Sequence, residues 1–344
     1  MTINKSRNWT VIVTHDANTE QRAIYEQVLD ASCDIVYVAG ASDDDRSASL
    51  ARADAVIVTH PLTEFRDGDK ALLAGAQLIQ QTTAGVDHVP FDRLPDGVPV
   101  AANPGTYSEP IAEHVLAMTL AAVKRLPIED RAMRSGEFNQ FTPNRMVAGR
   151  IAAVLGFGGI GQQSARLLRA CGMQIHAINR TGETDEPVDF IGTTLDLEAV
   201  LRRSDVIVIS MPLTRQTMGL IGAREFAWTK KDAILVNVAR GEIVDQAALY
   251  AHLCTRPNFT ACLDAWWVEP VRHGEFRLDH PFLDLANVIA SPHNSASVPG
   301  TRGKVARQAA ENVLRALTTG EPLYVSGPDE QLDDGSHQAK SPKV

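Results

Sequence analysis

Three side chains that can act on an anionic carbonyl compound stand shortly after apolar runs of the kind that form buried strands. They are Arg240, Glu269 and His293. Arginine binds a carboxylate through two hydrogen bonds, histidine gives or takes a proton near neutral pH, and glutamate can orient and charge a histidine. Each residue also has an ordinary explanation: Arg240 can cap a surface helix, Glu269 can belong to a Glu-Pro turn, and His293 can be a hydrogen-bonded loop residue.

A glycine-rich stretch upstream of these residues favours the catalytic interpretation of the three together. The apolar run Ile151–Leu155 leads into glycines at 156, 158 and 161, and a helical pattern follows at residues 162–170. In a dinucleotide-binding turn the first glycine permits the bend, the second lets the backbone approach a pyrophosphate, and the third allows close packing of helix and strand. The N–H groups that open the helix attract phosphates, and Gly159 and Ile160 belong to this site. A purely structural turn is the alternative.

Apolar runs alternate with helical patterns along the chain, which predicts an α/β protein with two doubly wound parallel-sheet domains. The predicted strands lie at residues 10–13, 35–38, 55–59, 78–79, 98–101, 151–155, 174–178, 206–210, 234–238, 260–263 and 288–290. The longest predicted helices lie at residues 20–29, 111–124 and 301–317. Ligands bind beyond the carboxyl ends of the strands in such sheets. The three candidate side chains are therefore expected to converge there.

Composition excludes several classes of protein. The chain has 344 residues, 44% hydrophobic and 22% charged, which is typical of a soluble globular protein. A net charge of −9 argues against nucleic acid or an anionic membrane as the main partner. The 4 cysteines form no C-x-x-C pair, so no zinc site or other metal site is expected, and free thiols in a reducing cytoplasm are the simpler interpretation. The apolar run near the N-terminus is too short for a signal peptide.

The ordered motifs resemble those of the D-isomer-specific 2-hydroxyacid dehydrogenases, across about residues 50 to 320. The matching stretches are residues 154–161, Asn237-Val238-Ala239-Arg240-Gly241, Asp264-Ala265-Trp266 with Glu269-Pro270, Ser291-Pro292-His293, Ala84-Gly85-Val86-Asp87 and Ala112-Glu113-His114. The resemblance implies that a Rossmann cofactor domain is inserted into a discontinuous, flavodoxin-like substrate domain. We accordingly expect the substrate domain at residues 1–103 plus 294–326, the NAD(P)-binding domain at residues 104–293, and a disordered tail at residues 327–344.

The resemblance also implies roles for single residues. Arg240 would bind the substrate carboxylate and carbonyl, His293 would be the general acid and base, and Glu269 its carboxylate partner. The backbone N–H groups of Gly85 and Val86 would help to hold the carboxylate. The remaining implied contacts are with the cofactor, through Ala239, the hydroxyl of Ser108, and Asp264, which would hydrogen-bond the nicotinamide amide.

One departure from the family pattern bears on the choice of cofactor. NAD-dependent members have an acidic residue at the end of the second strand of this half, where it binds the ribose hydroxyls of the adenosine. Here the position is Asn179, followed by Arg180 and Thr181. Neutral asparagine beside arginine and threonine tolerates a 2′-phosphate and can bind it. NADP(H) is therefore favoured over NAD(H), although Arg180 can also be an ordinary solvated loop residue.

The leading functional hypothesis is an NAD(P)-dependent oxidoreductase for a small 2-oxo or 2-hydroxy acid, of the glyoxylate or hydroxypyruvate type. Glu269 argues against a formate specialist, because the formate dehydrogenases that resemble this chain have glutamine there. The alternative is an NAD(P)-sensing binding protein like the related transcriptional corepressors, which retain the same three residues.

The segment 125–149 mixes charged and aromatic residues without a clear period. It matches the dimer arm of the family, with Phe138 where a tryptophan is frequent, and so indicates a homodimer. A plain surface loop is the alternative.

Overall fold

A computed structural model of the chain describes residues 8–327, 330 and 332. This part of the chain forms two compact units. The first unit ends at Thr106 and resumes at Pro299, and the second unit is Tyr107–Val298. The sequence predicts that the chain passes between the two domains after residues 103 and 293. Of the tail predicted to be disordered, only residues 327, 330 and 332 belong to the described part.

The strands of the described chain form two sheets in which neighbouring strands are parallel. The bounds are β1 (Trp9–Val13), β2 (Cys33–Tyr37), β3 (Ala55–Val58), β4 (Leu78–Gln81), β5 (Val100–Ala101), β6 (Ile151–Leu155), β7 (Gln174–Ile178), β8 (Phe190–Gly192), β9 (Val206–Ile209), β10 (Ile234–Asn237), β11 (Thr260–Leu263) and β12 (Val288–Ala290). Most of the central strands are buried along their whole length, which explains why they read as continuous apolar runs rather than as alternating patterns.

Helices connect these strands in the order that a doubly wound sheet requires. Their bounds are α1 (Thr19–Leu29), α2 (Asp43–Leu50), α3 (Pro61–Glu64), α4 (Asp69–Leu72), α5 (Ser108–Val123), α6 (Leu126–Arg134), α7 (Gly159–Ala170), α8 (Leu197–Arg203), α9 (Ala223–Trp228), α10 (Gln246–Thr255), α11 (Pro270–His273) and α12 (Thr301–Thr319). Several begin with a side-chain cap; at α1, for example, Asn18 and Gln21 form a complete capping box.

The sheet of the first unit has the order β2-β1-β3-β4-β5. Helices α1 and α12 pack together, and the alanine-rich side of α12 shares one core with Tyr25 and Leu29 of α1 and with strands β1 and β3. A buried hydrogen bond of 2.6 Å from Asn312 Nδ2 to Gln80 Oε1 ties α12 to β4. The C-terminal helix is thereby part of the fold of this unit, as the sequence predicted for the helix at 301–317.

The sheet of the second unit has the order β12-β11-β10-β9-β6-β7-β8. The strand order reverses between β6 and β9, which pair side by side. Such a reversal leaves a crevice at the carboxyl ends of the strands, and this is the place where doubly wound sheets bind nucleotides. Helix α5 covers the sheet beside α7 and shares a core with β6, β9 and β10. The predicted α/β class is confirmed in both units.

Strand β8, helix α6 and the 4-residue helix α11 of the second unit were not predicted. Strand β8 has only 3 residues and an exposed first residue, Phe190, so it lacks the buried run that marks the other strands. Helix α6 lies within the segment 125–149, where no period was recognised, and a non-helical stretch follows it up to β6. None of the residues of α6 is buried, and its charges pair along the helix, as Arg134 does with Asp130.

Among the described residues, no helix is both long and apolar enough to cross a membrane.

Candidate active site

The glycine turn between β6 and α7 has the shape that its spacing predicts. Gly156 has φ +95°, a conformation that favours glycine, and a Cβ there would overlap the Met211 backbone. A Cβ at Gly161 would overlap the carbonyl oxygen of Gly156, so the close approach of helix and strand also requires glycine. At Gly158 a Cβ would meet no protein atom within 4 Å, so protein packing does not explain this glycine.

Helix α7 begins at Gly159 directly behind this turn, and its first N–H groups have no partners within the helix. Together with the open side of Gly158, they form a cradle that fits the pyrophosphate of a dinucleotide. The residues present therefore fit the cofactor that the spacing implies, and Gly156, Gly158, Gly159, Ile160 and Gly161 would hold it.

The three candidate catalytic residues follow three adjacent strands of the second unit. Strand β11 pairs with β10 on one side and with β12 on the other, in a register that places Leu263 beside both Asn237 and Ala290. The strands thus end at one level, and the loops that follow leave the same edge of the sheet. This arrangement brings the candidate loops together, although they are widely separated in sequence.

Asn237 fixes the loop that carries Arg240. Its side chain is buried, its Nδ2 donates to the Arg240 carbonyl oxygen at 2.9 Å, and its Oδ1 accepts from Ala239 N at 3.0 Å. The guanidinium of Arg240 is half-buried and donates to the Ala239 carbonyl oxygen at 2.8 Å. Ala239, a predicted cofactor contact, is itself buried in this turn. The loop geometry therefore depends on an asparagine to which the sequence argument gave no role.

Glu269 and His293 form a direct pair. The Nδ1 of His293 donates to both carboxylate oxygens of Glu269, at 2.9 and 2.8 Å. Glu269 is buried and also accepts from Trp266 N at 2.7 Å, whereas the His293 side chain is 33% exposed. The other ring nitrogen, Nε2, has no hydrogen-bond partner among the described residues, so it is the atom available to a ligand.

The charge state of Glu269 follows from its neighbours. Burial by itself raises the pKa of the carboxyl, but the hydrogen bond and charge of His293, the Trp266 N–H group and the charge of Arg240 hold the pKa below its ordinary value. Glu269 is therefore a carboxylate at neutral pH and faces the imidazole as an anion.

The backbone of His293 is left-handed, with φ +52°, a conformation that few residues other than glycine adopt. Asp264, at the end of β11, holds the surrounding loop in place. Its carboxylate accepts from Ser291 Oγ at 2.5 Å, Asn294 N at 3.2 Å and Ser295 N at 3.4 Å. Such conformations persist where the surroundings over-determine them, and they often mark functional sites.

A polar network behind His293 was not recognised from the sequence. His114 on α5 lies with Nε2 at 3.0 Å from Ser291 Oγ and 3.7 Å from Asp264 Oδ1. Burial raises the pKa of the Asp264 carboxyl, but the hydrogen bonds of Ser291 and Ser295 and the nearby histidines hold the pKa below its ordinary value. The motifs containing His114 and Ser291 were noted, but only the fold shows that they meet.

Asp264 is fully buried, and both of its carboxylate oxygens accept hydrogen bonds from the loop that carries His293. The contact with a nicotinamide amide predicted for Asp264 stays a prediction. Ser108, also predicted to contact the cofactor, is the first residue of α5 and is buried. Its hydroxyl is buried and has no hydrogen-bond partner among the described residues, and its contact with the cofactor stays a prediction.

The loop after β7 is organised by Asn179. Its Oδ1 accepts from Gly182 N at 2.7 Å and Thr181 N at 3.1 Å, and its Nδ2 donates to the Glu183 carbonyl oxygen at 2.7 Å. Arg180 and Thr181 are exposed, and Arg180 forms no ion pair with any described residue.

Gly85 and Val86 lie in the first unit, in the turn that follows β4. Neither backbone N–H group donates to another described residue, while the Gly85 carbonyl oxygen accepts from Thr83 Oγ1 at 3.0 Å. Two unused N–H groups in succession can bind an anion. The role of these two residues in substrate binding stays a prediction.

Comparison with known proteins supports a single family. Residues 116–295 match the family model of the D-isomer-specific 2-hydroxyacid dehydrogenase NAD-binding domain. A glyoxylate reductase of Aeropyrum pernix is 33% identical over 249 residues, which cover 69% of this chain and 72% of that protein. A D-3-phosphoglycerate dehydrogenase of Archaeoglobus fulgidus is 33% identical over 72% of this chain, but the match spans only 46% of that longer protein.

A solved structure supports the same assignment. The D-isomer-specific 2-hydroxyacid dehydrogenase from Xanthobacter autotrophicus Py2, determined in complex with NADPH and MES, superposes with a TM-score of 0.78 at 26% sequence identity. The superposition covers 94% of this chain and 99% of that one. From the family-model match, the relatives and the shared fold, we conclude that this chain belongs to the D-isomer-specific 2-hydroxyacid dehydrogenase family and is an NAD(P)-dependent oxidoreductase.

Proposed function

We propose that the protein reduces a small 2-oxo acid, of the glyoxylate or hydroxypyruvate type, to the corresponding 2-hydroxy acid with NADPH. The observation that carries the proposal is the buried Glu269 carboxylate held against His293 Nδ1, one loop away from Arg240 at the same edge of the sheet. The names of relatives, among them the glyoxylate reductase of Aeropyrum pernix, support the substrate class.

The residues divide the chemistry between them. A reduced nicotinamide cofactor held by the glycine turn would supply the hydride for the carbonyl carbon of the substrate. Arg240 binds the substrate carboxylate and carbonyl oxygen through charge-assisted hydrogen bonds and orients them. His293, charged and donating through Nε2, gives a proton to the carbonyl oxygen as negative charge develops there. Glu269 accepts from His293 Nδ1 and so keeps the imidazole oriented with Nε2 toward the substrate side.

A turnover screen tests the proposed function. Glyoxylate, hydroxypyruvate, pyruvate and 3-phosphohydroxypyruvate are each offered with NADPH and NADH, and loss of absorbance at 340 nm is followed. We expect the first two to be the best substrates and His293→Ala to lower kcat/KM by roughly 10²- to 10⁴-fold, because a general acid is lost. A wild-type enzyme that binds cofactor but turns over none of these acids would refute the proposal.

The pH dependence should report the Glu269–His293 pair. The pKa of Glu269 is held below its ordinary value, so Glu269 is ionised at neutral pH, and reduction needs a proton on His293 Nε2. Glu269→Gln removes the negative charge but keeps a hydrogen-bonding side chain, so the charged imidazole is less favoured. We expect the high-pH limb of reduction to move to lower pH, and the oxidation of the 2-hydroxy acid to persist to lower pH. Profiles of kcat/KM against pH, recorded for reduction and oxidation with the wild type and the variant, measure these shifts. If both pH limbs are the same in the two enzymes, Glu269 does not act on His293.

NADPH is the proposed cofactor because the loop after β7 has no carboxylate at position 179 and presents an exposed cation, Arg180. The side chain of Asn179 is engaged with its own loop, where it sets the conformation in which Arg180 and Thr181 face solvent. The NADPH complex of the Xanthobacter autotrophicus relative supports the proposal by analogy.

We expect Arg180→Ala to weaken NADPH binding far more than NADH binding. Loss of one charge-assisted phosphate contact costs on the order of 1.5–3 kcal/mol, which is roughly a 10- to 100-fold change in Kd. Fluorescence titration with both reduced cofactors measures the effect. The matched control is Arg203→Ala, an exposed arginine at the end of α8, which should leave both affinities unchanged. If Arg180→Ala weakened the binding of NADPH and NADH equally, Arg180 would not contact the 2′-phosphate.

The segment 125–149 exposes large apolar side chains, and we propose that a second copy of the chain covers them. The exposed fractions are 57% for Leu126, 55% for Met133, 73% for Phe138, 91% for Phe141 and 69% for Met146. A cluster of this kind on a water-exposed surface favours association.

Charges introduced into this cluster should separate the subunits. We expect Phe138→Asp with Phe141→Asp to halve the molar mass measured by light scattering after gel filtration, because the apolar contact becomes a charged one. Leu195→Asp is the control, since Leu195 is 94% exposed in another part of the second unit. A wild-type mass of one chain, or a double variant that remains dimeric, would contradict the proposal.

A further inference from the structure

Two charged residues that are not among the candidate catalytic residues connect the loop of Arg240 with the loop of Glu269. Glu242 follows Arg240 by two positions, and Arg272 follows Glu269 by three. Their side chains form an ion pair with Arg272 Nη1 at 2.8 Å from Glu242 Oε1. The Arg272 side chain is only 8% exposed and that of Glu242 21%, so the pair is largely shielded from solvent.

The backbones of the two loops are also fitted together. A Cβ at Gly241 would overlap the Trp266 carbonyl carbon and the Trp267 nitrogen, so only glycine permits this approach. Trp267 Nε1 donates to the Val244 carbonyl oxygen at 2.7 Å. The segment 240–244 therefore rests directly on the segment 266–272, and the ion pair joins the two at their side chains.

Shielded ion pairs of this kind contribute little net stability, because removing two charges from water costs about as much as their attraction returns. Such a pair does fix the relative position of its two side chains, because removal of either partner leaves the other charge shielded from water and uncompensated. Glu242 Oε2 is buried and accepts no hydrogen bond from the described residues, so this carboxylate depends on its contact with Arg272. A pair placed between two catalytic loops can hold them at a fixed separation.

We propose that the Glu242–Arg272 ion pair is a positioning device that sets the place of the Arg240 guanidinium relative to the Glu269–His293 pair. Both members act through other residues: Glu242 through the loop of Arg240, and Arg272 through the helical turn that begins after Glu269. The inference rests on the proposed function, because it assigns the pair to the binding and reduction of a 2-oxo acid. It assigns the pair to the substrate side of the site, since the glycine turn and the loop after β7, which would hold the phosphates of the cofactor, lie on other strands of the sheet.

The test compares substrate and cofactor parameters in matched variants. Glu242→Gln and Arg272→Met each remove one charge at nearly constant volume, and Arg272→Lys keeps the charge. We expect the first two to raise KM for the 2-oxo acid and lower kcat/KM by roughly 10- to 100-fold, because a misplaced catalytic group is that costly. The Kd for NADPH should change far less than KM, because the glycine turn and the loop after β7, which would hold the phosphates of the cofactor, lie on other strands. Arg272→Lys should recover part of the loss.

Two further variants show whether the effect belongs to this pair. The double variant Glu242→Gln/Arg272→Met should be no worse than the worse single variant, because both remove the same contact. Glu198→Gln breaks an exposed ion pair with Arg202 on α8, with side chains 50% and 56% exposed, and should change neither KM nor Kd.

The outcomes separate this inference from the proposed function. Folded variants with unchanged KM and kcat/KM, or with KM for the 2-oxo acid and Kd for NADPH weakened in parallel, would overturn the positioning role. Binding of oxamate, a non-reducible 2-oxo acid analogue, to the enzyme–NADPH complex gives a readout that does not require turnover. If the wild type binds oxamate and the Gln and Met variants lose that binding, the inference stands whichever 2-oxo acid is reduced. A wild type that neither turns over a 2-oxo acid nor binds oxamate would overturn both.

Discussion

The buried carboxylate of Asp264 is the constraint on which the candidate site depends. It stands at the end of β11, between the strands that lead to Arg240 and to His293, and its oxygens accept three hydrogen bonds from the 291–295 loop. These bonds hold His293 in a left-handed conformation that turns its Nδ1 onto Glu269. A charge that is shielded and fully hydrogen-bonded is costly to disturb, so the loop is kept in one arrangement.

The parallel sheet makes this arrangement possible. Because β10, β11 and β12 are paired in register, three loops from distant parts of the chain leave one edge at the same level. Their packing then depends on close contacts, namely Gly241 on the Trp266–Trp267 backbone and the Glu242–Arg272 pair. The chemistry of the site thus rests on side chains that need never touch a substrate. Substitutions at such positions are expected to act on geometry rather than on the identity of the reacting groups.

The two halves of the second sheet carry different chemical groups at the ends of their strands. The glycine turn after β6 and the Asn179 loop after β7 carry features suited to phosphates: helix N–H groups, glycine without a side chain, and an exposed arginine. The loops after β10, β11 and β12 carry a carboxylate–imidazole pair and a second arginine. This division along the sheet follows from its strand order, because the reversal between β6 and β9 separates the two sets of loops.

The sequence by itself determined the α/β class, nearly every strand, and the glycine turn, because continuous apolar runs and glycine spacing are local signals that a buried parallel strand and a tight turn impose. It also determined which residue types stand at the strand ends. The tertiary structure decided which of them meet: the distances between Glu269 and His293, the network of His114, Ser291 and Asp264, and the ion pair between positions 242 and 272. It also revealed the short edge strand β8 and the helix α6, neither of which contains a run of buried apolar residues. Contacts between residues far apart in the chain leave no local pattern, since strand order and register alone bring them together.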